Sequence, residues 1–278
     1  MTGTVPAGGP TATRSRTATV WRMPVLMYHS VPGLGPAEAN EHAVPVAELT
    51  DQLTSLSEAG WQLLGLTEAL AVKNADVHAR VVGVTFDDGL LDFLNAVPVL
   101  QSLGARATMY VPTGDVGLAL APEDPHGSRL SWHDLADVAR AGVEIGSHSV
   151  AHRPMDVLPP ADLARELVDS KRALEDHVGL PVTSFCYPHG YSSPRVHRAA
   201  QRAGYTNACI VGRRIARSTD DVFAVPRLHV RPGVTGAAFE QLLREGEPGL
   251  APKVKRLANP AWRLARRTAF RVLHRELT

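Results

Sequence analysis

Two carboxylates, Asp87 and Asp88, stand at the end of the apolar run Val81-Val82-Gly83-Val84-Thr85-Phe86 and are followed by Gly89. Acids in such a place are costly unless something neutralises them. Adjacent strand residues point to opposite sides, so the two need different partners. A metal ion with its water satisfies both; a turn, or the cap of a following helix, is the plainer alternative. A second run, Glu144-Ile145-Gly146-Ser147, leads into His148-Ser149-Val150-Ala151-His152. Histidines at that spacing share one face of a helical turn. Neutral imidazoles there can grip a zinc-like ion at about 2.0–2.1 Å and, with one carboxylate, leave a position open for water. Either pair alone has a bland explanation, as a turn or as surface decoration. Their weight comes from standing together at the ends of predicted strands.

Two more runs end in the same way, Ser184-Phe185-Cys186-Tyr187-Pro188-His189-Gly190 and Val25-Leu26-Met27-Tyr28-His29-Ser30. The elements that would position these ends are legible from periodicity. Residues Val25–Val31, Trp61–Leu66, Val81–Phe86, Ala107–Val111, Val143–Ser147, Ser184–Tyr187 and Ala208–Val211 read as strands. Helix-period segments cover Val46–Ala59, Leu91–Leu103, Trp132–Ala141, Ala161–Val178 and Pro194–Ala203, with Gly104, Gly142 and Gly204 as C-terminal stops. Alternation of this kind means a parallel sheet. With no glycine-rich dinucleotide fingerprint, and with polar residues at strand ends, a closed (β/α) barrel fits better than an open sheet.

The 278-residue chain holds 44% apolar and 21% charged residues, enough for one barrel with tails. We expect a leader over residues 1–22, a barrel over 23–250 and a basic tail over 251–278. Cys186 and Cys209 lie in apolar stretches and are expected as buried thiols, with no disulfide framework. No run approaches the ~18 apolar residues of a spanning helix, and the leader lacks a secretory apolar core. The expected location is therefore cytoplasmic. Residues 251–278 carry eight of the 29 Lys/Arg and one of the 28 acids, leaving a body near −6 and a tail near +7. An acidic body gives no sign of a nucleic-acid groove. In the tail, Asn259-Pro260 starts a helix with Trp262, Ala265, Ala269, Val272 and Leu273 on one face and Arg263, Arg267, Arg271 and Arg275 on the other. Residues 253–278 would thus either touch an anionic membrane peripherally, at its inner face, or dock on the barrel with a solvated basic face.

With four strand ends on the page, the chain resembles the polysaccharide deacetylase (NodB-homology) family, carbohydrate esterase family four, over about residues 23–235. Thr85–Gly89 matches its first block, His148–His152 its second, and Tyr187–Gly190 a variant of its third. The resemblance implies the NodB-homology fold, a distorted (β/α)7 TIM-like barrel, and removal of N-acetyl groups from a sugar or polysaccharide. It implies a divalent metal, Zn²⁺ first with Co²⁺ or Ni²⁺ as substitutes, held by Asp88, His148 and His152. Asp87 would be the general base, and Tyr187, Pro188 and His189 would form the oxyanion and substrate turn, with a backbone N–H near His189 as donor. Met27-Tyr28-His29 is similar to the opening of a circularly permuted branch that includes exopolysaccharide deacetylases acting on poly-N-acetylglucosamine, which makes His29 the general acid. An imidazole, titrating near neutrality, suits that task.

One position departs from the pattern. Many relatives carry in the third block an arginine that orients the base, and here Cys186 stands in its place. Arg227, in Val225-Pro226-Arg227-Leu228-His229-Val230, is the candidate substitute, and His229 rivals His29 as acid. Two other readings stay open: a hydrolase of cyclic or other non-sugar amides, and a carbohydrate-binding protein without catalysis. Four polar groups so costly to keep argue against the second.

Overall fold

The computed structural model describes residues 20–33, 40–119 and 127–247. Most of the expected leader, up to residue 19, and the whole basic tail with its amphipathic helix lie outside the described residues. The first elements are strands β1 (Arg22–Met23) and β2 (Val25–Tyr28), helix α1 (Val46–Glu58), β3 (Gln62–Leu64), α2 (Leu66–Ala75) and β4 (Val81–Phe86). Next come α3 (Ala96–Ser102), β5 (Thr108–Val111), α4 (Trp132–Arg140), β6 (Glu144–Ser147), α5 (Pro160–Val178) and β7 (Ser184–Cys186). The last are α6 (Pro194–Arg202), β8 (Asn207–Val211), β9 (Ala216–Arg217), β10 (Val225–His229) and α7 (Gly236–Glu245).

Seven strands, β2, β4, β5, β6, β7, β8 and β10, pair in parallel, and the ring closes because β2 joins both β10 and β4. This is the expected distorted (β/α)7 barrel. Distortion enters at β3, which pairs with the first half of β4 and whose Leu63 carbonyl accepts from Arg106 N–H at 2.9 Å, at the foot of β5. β1 and β9 form a separate antiparallel ribbon.

Side-chain parity divides the core into two. Val82, Val84 and Phe86 of β4 join Leu49 and Leu53 of α1 in the layer between strands and helices. Val25, Val81, Tyr110, Cys186, Cys209 and Val225 form a second cluster inside the barrel, joined by Leu66, Ala69 and Leu70 of α2. Those residues include the first positions of β2, β4 and β10, so α2 stoppers the barrel at its N-terminal mouth. The opposite mouth stays open for chemistry.

Two elements differ from the sequence reading. The apolar run from Trp61 ends as a strand at Leu64, and Gly65 turns the chain into α2, whose start carries no side-chain cap to announce it. The helix expected over Leu91–Leu103 is a 3-10 turn, Leu91–Asn95, followed by α3, because Pro98 has no N–H to give the Leu94 carbonyl. No helix among the described residues is long and apolar enough to cross a membrane.

Gly146 in β6 is required by its neighbour. A Cβ there would lie 2.5 Å from ring carbons of Tyr110. Gly146→Ala should therefore cost about 1–3 kcal/mol by overpacking. Urea unfolding would show it, and an unchanged midpoint would mean that the Tyr110 ring yields freely.

Candidate active site

The same parity that fills the barrel places the polar residues. Along β4, Val81, Gly83 and Thr85 face inward, so the next inward residue is Asp87. Along β2 the inward series Val25, Met27 continues to His29; along β6, Gly146 continues to His148; along β10, Val225 is followed by Arg227 and His229. Because all these strands run parallel, the series end at one rim. His29, Asp87, Asp88, His148, His152, Tyr187, His189, Arg227 and His229 all line one cleft of about 1300 Å³ there.

At the floor, the fully buried guanidinium of Arg227 holds Asp87 with two bonds, Nη1 to Oδ1 at 2.6 Å and Nη2 to Oδ2 at 2.7 Å. Its Nη1 also donates to Thr85 Oγ1 at 3.0 Å and its Nη2 to Cys186 Sγ at 3.0 Å. Burial alone would raise the Asp87 carboxyl, but the charge and hydrogen bonds of Arg227 outweigh it and hold the pKa at about 2. Asp87 is thus ionised at any working pH. His29 Nε2 stands 3.9 Å from Asp87 Oδ2.

Beside this pair, Asp88, His148 and His152 converge. His148 Nε2 and His152 Nε2 are 3.2 Å apart, and Asp88 Oδ1 is 3.6 Å from the first and 3.3 Å from the second. Two ligands at ~2.05 Å from one ion and at a tetrahedral angle are separated by about 3.3 Å, so the spacing of this donor set fits a divalent ion. His148 Nδ1 lies 2.7 Å from the Cys186 carbonyl, which can only accept, so Nδ1 carries the proton and Nε2 presents its lone pair. Burial first, and the neighbouring His152 second, bring His148 down to about 4. The Asp88 carboxyl is held well below its usual range: burial opposes this, but the hydrogen bond from His152 and the surrounding imidazoles prevail.

The histidines do not share a helical turn, contrary to the expectation from their spacing. Ser149 and His152 take positive φ values of 69° and 52°, and this reversal brings the rings together. Five described residues other than glycine have positive φ, and all belong to this rim: Asp88, His152, His189 and Arg213 line the cleft, and Ser149 follows His148. Strain of this kind is held only where surrounding structure fixes it. One fixing residue escaped the sequence reading. Glu166 of α5 accepts from the Val150 and Ala151 amides at 2.8 and 2.9 Å through one oxygen, tying down the loop between the histidines.

The third block forms a tight turn. Tyr187 N–H donates to the Cys209 carbonyl at 3.2 Å, Pro188 has no N–H, Gly190 N–H returns to the Tyr187 carbonyl at 2.8 Å, and His189 sits between them with φ 57°. Its ring meets that of His152 edge-on at 4.7 Å. On the far side, His229 Nε2 contacts His42 Nδ1 at 3.1 Å. Burial first, then the nearby His29 and His42, push His229 down to about 3.

The open rim of the parallel barrel thus joins two aspartates, one of them clamped by arginine, to a pair of histidines. The family profile described as polysaccharide deacetylase matches residues 74–208, a stretch that holds both pairs and the Tyr187–Gly190 turn but neither His29 nor Arg227. YxkH of Bacillus subtilis (strain 168), whose name assigns it to the polysaccharide deacetylases, is 28% identical over 78% of this chain and 75% of its own. The Streptococcus pyogenes deacetylase PplD in complex with acetate superposes with a TM-score of 0.72 at 25% identity, over 83% of this chain and all of that one. IcaB from Ammonifex degensii shares the fold, with a TM-score of 0.69 at 24% identity over 80% of this chain and 96% of its own. Over residues 74–208, just under half of its length, the chain thus matches the polysaccharide deacetylase profile, and its barrel is similar to those of deacetylases.

Proposed function

We propose that this cleft removes the acetyl group from N-acetylated sugar residues of a glycan, with Asp87 as base, His29 as acid, and Asp88, His148 and His152 as the holders of a divalent metal, Zn²⁺ first. The observation that carries the reading is the triangle of Asp88 Oδ1, His148 Nε2 and His152 Nε2 standing beside a carboxylate that Arg227 keeps ionised. A metal in that triangle would supply Lewis-acid polarisation of the acetyl carbonyl and a water of lowered pKa.

The chain's own groups account for the rest. Asp87 accepts the proton of the attacking water, and its bidentate bond to Arg227 fixes the direction in which it does so. The amide at His189, in the turn shaped by Tyr187 and Pro188, donates to the oxygen that gains charge as the tetrahedral intermediate forms. His29 faces Asp87 across the floor and gives a proton to the departing sugar amine, so acetate and a free amine leave. Small-molecule pockets run to roughly 300–1,000 Å³. The cleft is larger at about 1300 Å³, which favours an extended chain over a single small amide.

Acetate release from N-acetylglucosamine oligomers, nucleotide sugars and lipid-linked sugars, measured after chelation and after adding back Zn²⁺, Co²⁺ or Ni²⁺, tests the proposal. Release from oligomers that stops with chelation and returns with metal is expected. Metal-restored hydrolysis of cyclic amides with none of these sugars would overturn the substrate class. Glu166→Ala, which frees the Val150 and Ala151 amides, should weaken metal affinity about 10–100-fold as loss of an outer support typically does. Equal affinity, read by competition with a chromophoric chelator, would show that the loop holds its shape unaided.

A further inference from the structure

A second group of ring nitrogens stands in the same cleft, and the deacetylation reading uses only one of its members. His29 and His229 come together because β2 and β10 pair in parallel, with Leu228 opposite Leu26 and His229 opposite Met27. His42 is delivered from the loop before α1 by the bridge between Ser30 and Ala43, in which Ser30 N–H donates to the His42 carbonyl at 3.2 Å and Val44 N–H to the Ser30 carbonyl at 3.0 Å. The ring centroids are 4.7 Å apart for His29 and His42, 4.9 Å for His42 and His229, and 5.6 Å for His29 and His229. One ring nitrogen of each lies within 4.8 Å of the other two.

We infer that His29, His42 and His229 form a second site for a transition-metal ion, distinct from Asp88, His148 and His152, and that an ion there withdraws His29 from the reaction. The second half of this statement rests on His29 being the acid proposed above; the first does not.

Three imidazoles so close cannot satisfy one another. His42 Nδ1 and His229 Nε2 share a single hydrogen bond at 3.1 Å, and His29 Nδ1 is buried with no hydrogen-bond partner. Buried polar groups of this kind are normally bonded. Three imidazoles lining one cleft with their ring nitrogens this close are a donor set for Zn²⁺, Cu²⁺ or Ni²⁺, and a poor one for Mg²⁺ or Ca²⁺. Glu41 Oε1 stands 3.9 Å from His42 Nε2, a carboxylate on the outer nitrogen that would leave Nδ1 as the ligand atom. The site has no carboxylate ligand, and Arg213 and Arg231 add positive charge around His229. It should therefore fill after the Asp88 triangle, only when metal exceeds one equivalent.

Equilibrium dialysis of the metal-free full chain against Zn²⁺ tests this, with His42→Ala chosen because His42 is on a loop and half exposed. Wild type should bind two ions per chain, His42→Ala should hold its second at least about tenfold more weakly, and His148→Ala should keep the weaker ion while losing the tighter. One ion bound to wild type, or two bound with equal affinity to His42→Ala, would overturn the site. These readings need no turnover, so they stand apart from the deacetylation proposal. The acetate-release rate against added Zn²⁺, each protein scaled to its own maximum, should rise to one equivalent and then fall for wild type but not for His42→Ala. A rate that stays flat while wild type holds two ions would overturn the withdrawal of His29.

Discussion

Arg227→Ala should lower the unfolding free energy by about 3–5 kcal/mol, because it strands the buried Asp87 charge without its partner. It should also cut turnover by about 10²-fold at unchanged metal content, the scale of loss when a reacting group is misplaced by an ångström. The two effects have different causes and can be separated. Arg227→Lys keeps a positive charge in the pocket but cannot reproduce the paired Nη1 and Nη2 bonds to Asp87 or the branch to Thr85. It should recover most of the stability and little of the turnover. If the lysine variant instead turned over like wild type, Arg227 would be a neutralising charge and not a positioning residue, and the direction of the Asp87 carboxylate would have to be set elsewhere.

This pairing also shows where the sequence stops being readable. The alternation through Val81–Phe86 is enough to place Asp87 inside a barrel, and the run before His148 does the same for that ring. What it cannot convey is which strand stands across the barrel. Arg227 reaches Asp87 because β10 lies between β2 and β8, and because Cys186, where the resemblance leads one to expect an arginine, is small enough to leave room for a guanidinium 3.0 Å away. The guanidinium arrives from β10 and not from β7, so a motif search centred on the third block finds only a cysteine. Glu166 was illegible for another reason: it is one acid among several on α5, and only the fold reveals that it faces two loop amides. His42 lies in a loop with no periodicity at all. The histidine pair misled in detail, since a four-residue spacing suits a helical turn, yet here two left-handed residues produce the meeting of the rings.

The second large effect concerns the metal triangle, and Asp88 is the member that discriminates best. Asp88 has φ 72°, a conformation that asparagine tolerates and alanine does not, so Asp88→Asn keeps the backbone while removing the charge. With two neutral imidazoles as its only other donors, the site should then hold metal at least about 10²-fold more weakly. That factor is ~3 kcal/mol, well within the worth of a charged ligand on a divalent ion. At limiting metal, acetate release should fall in proportion, and in the His42→Ala background excess metal should restore part of it. His148→Ala should be harsher. The buried ring is held by the Cys186 carbonyl and leaves a gap when removed, so excess metal should restore little, with a loss of at least about 10³-fold, equivalent to ~4 kcal/mol of barrier. His152 is the most exposed of the three, with 30% of its side chain in solvent, so water can take its place and His152→Ala should fall between the two. The order Asp88→Asn, His152→Ala, His148→Ala, measured as activity at saturating Zn²⁺ in the His42→Ala background where the second site does not fill, is thus a fingerprint of this triangle. Wild-type activity in His148→Ala at any metal concentration would place the ion, or the chemistry, somewhere else in the cleft.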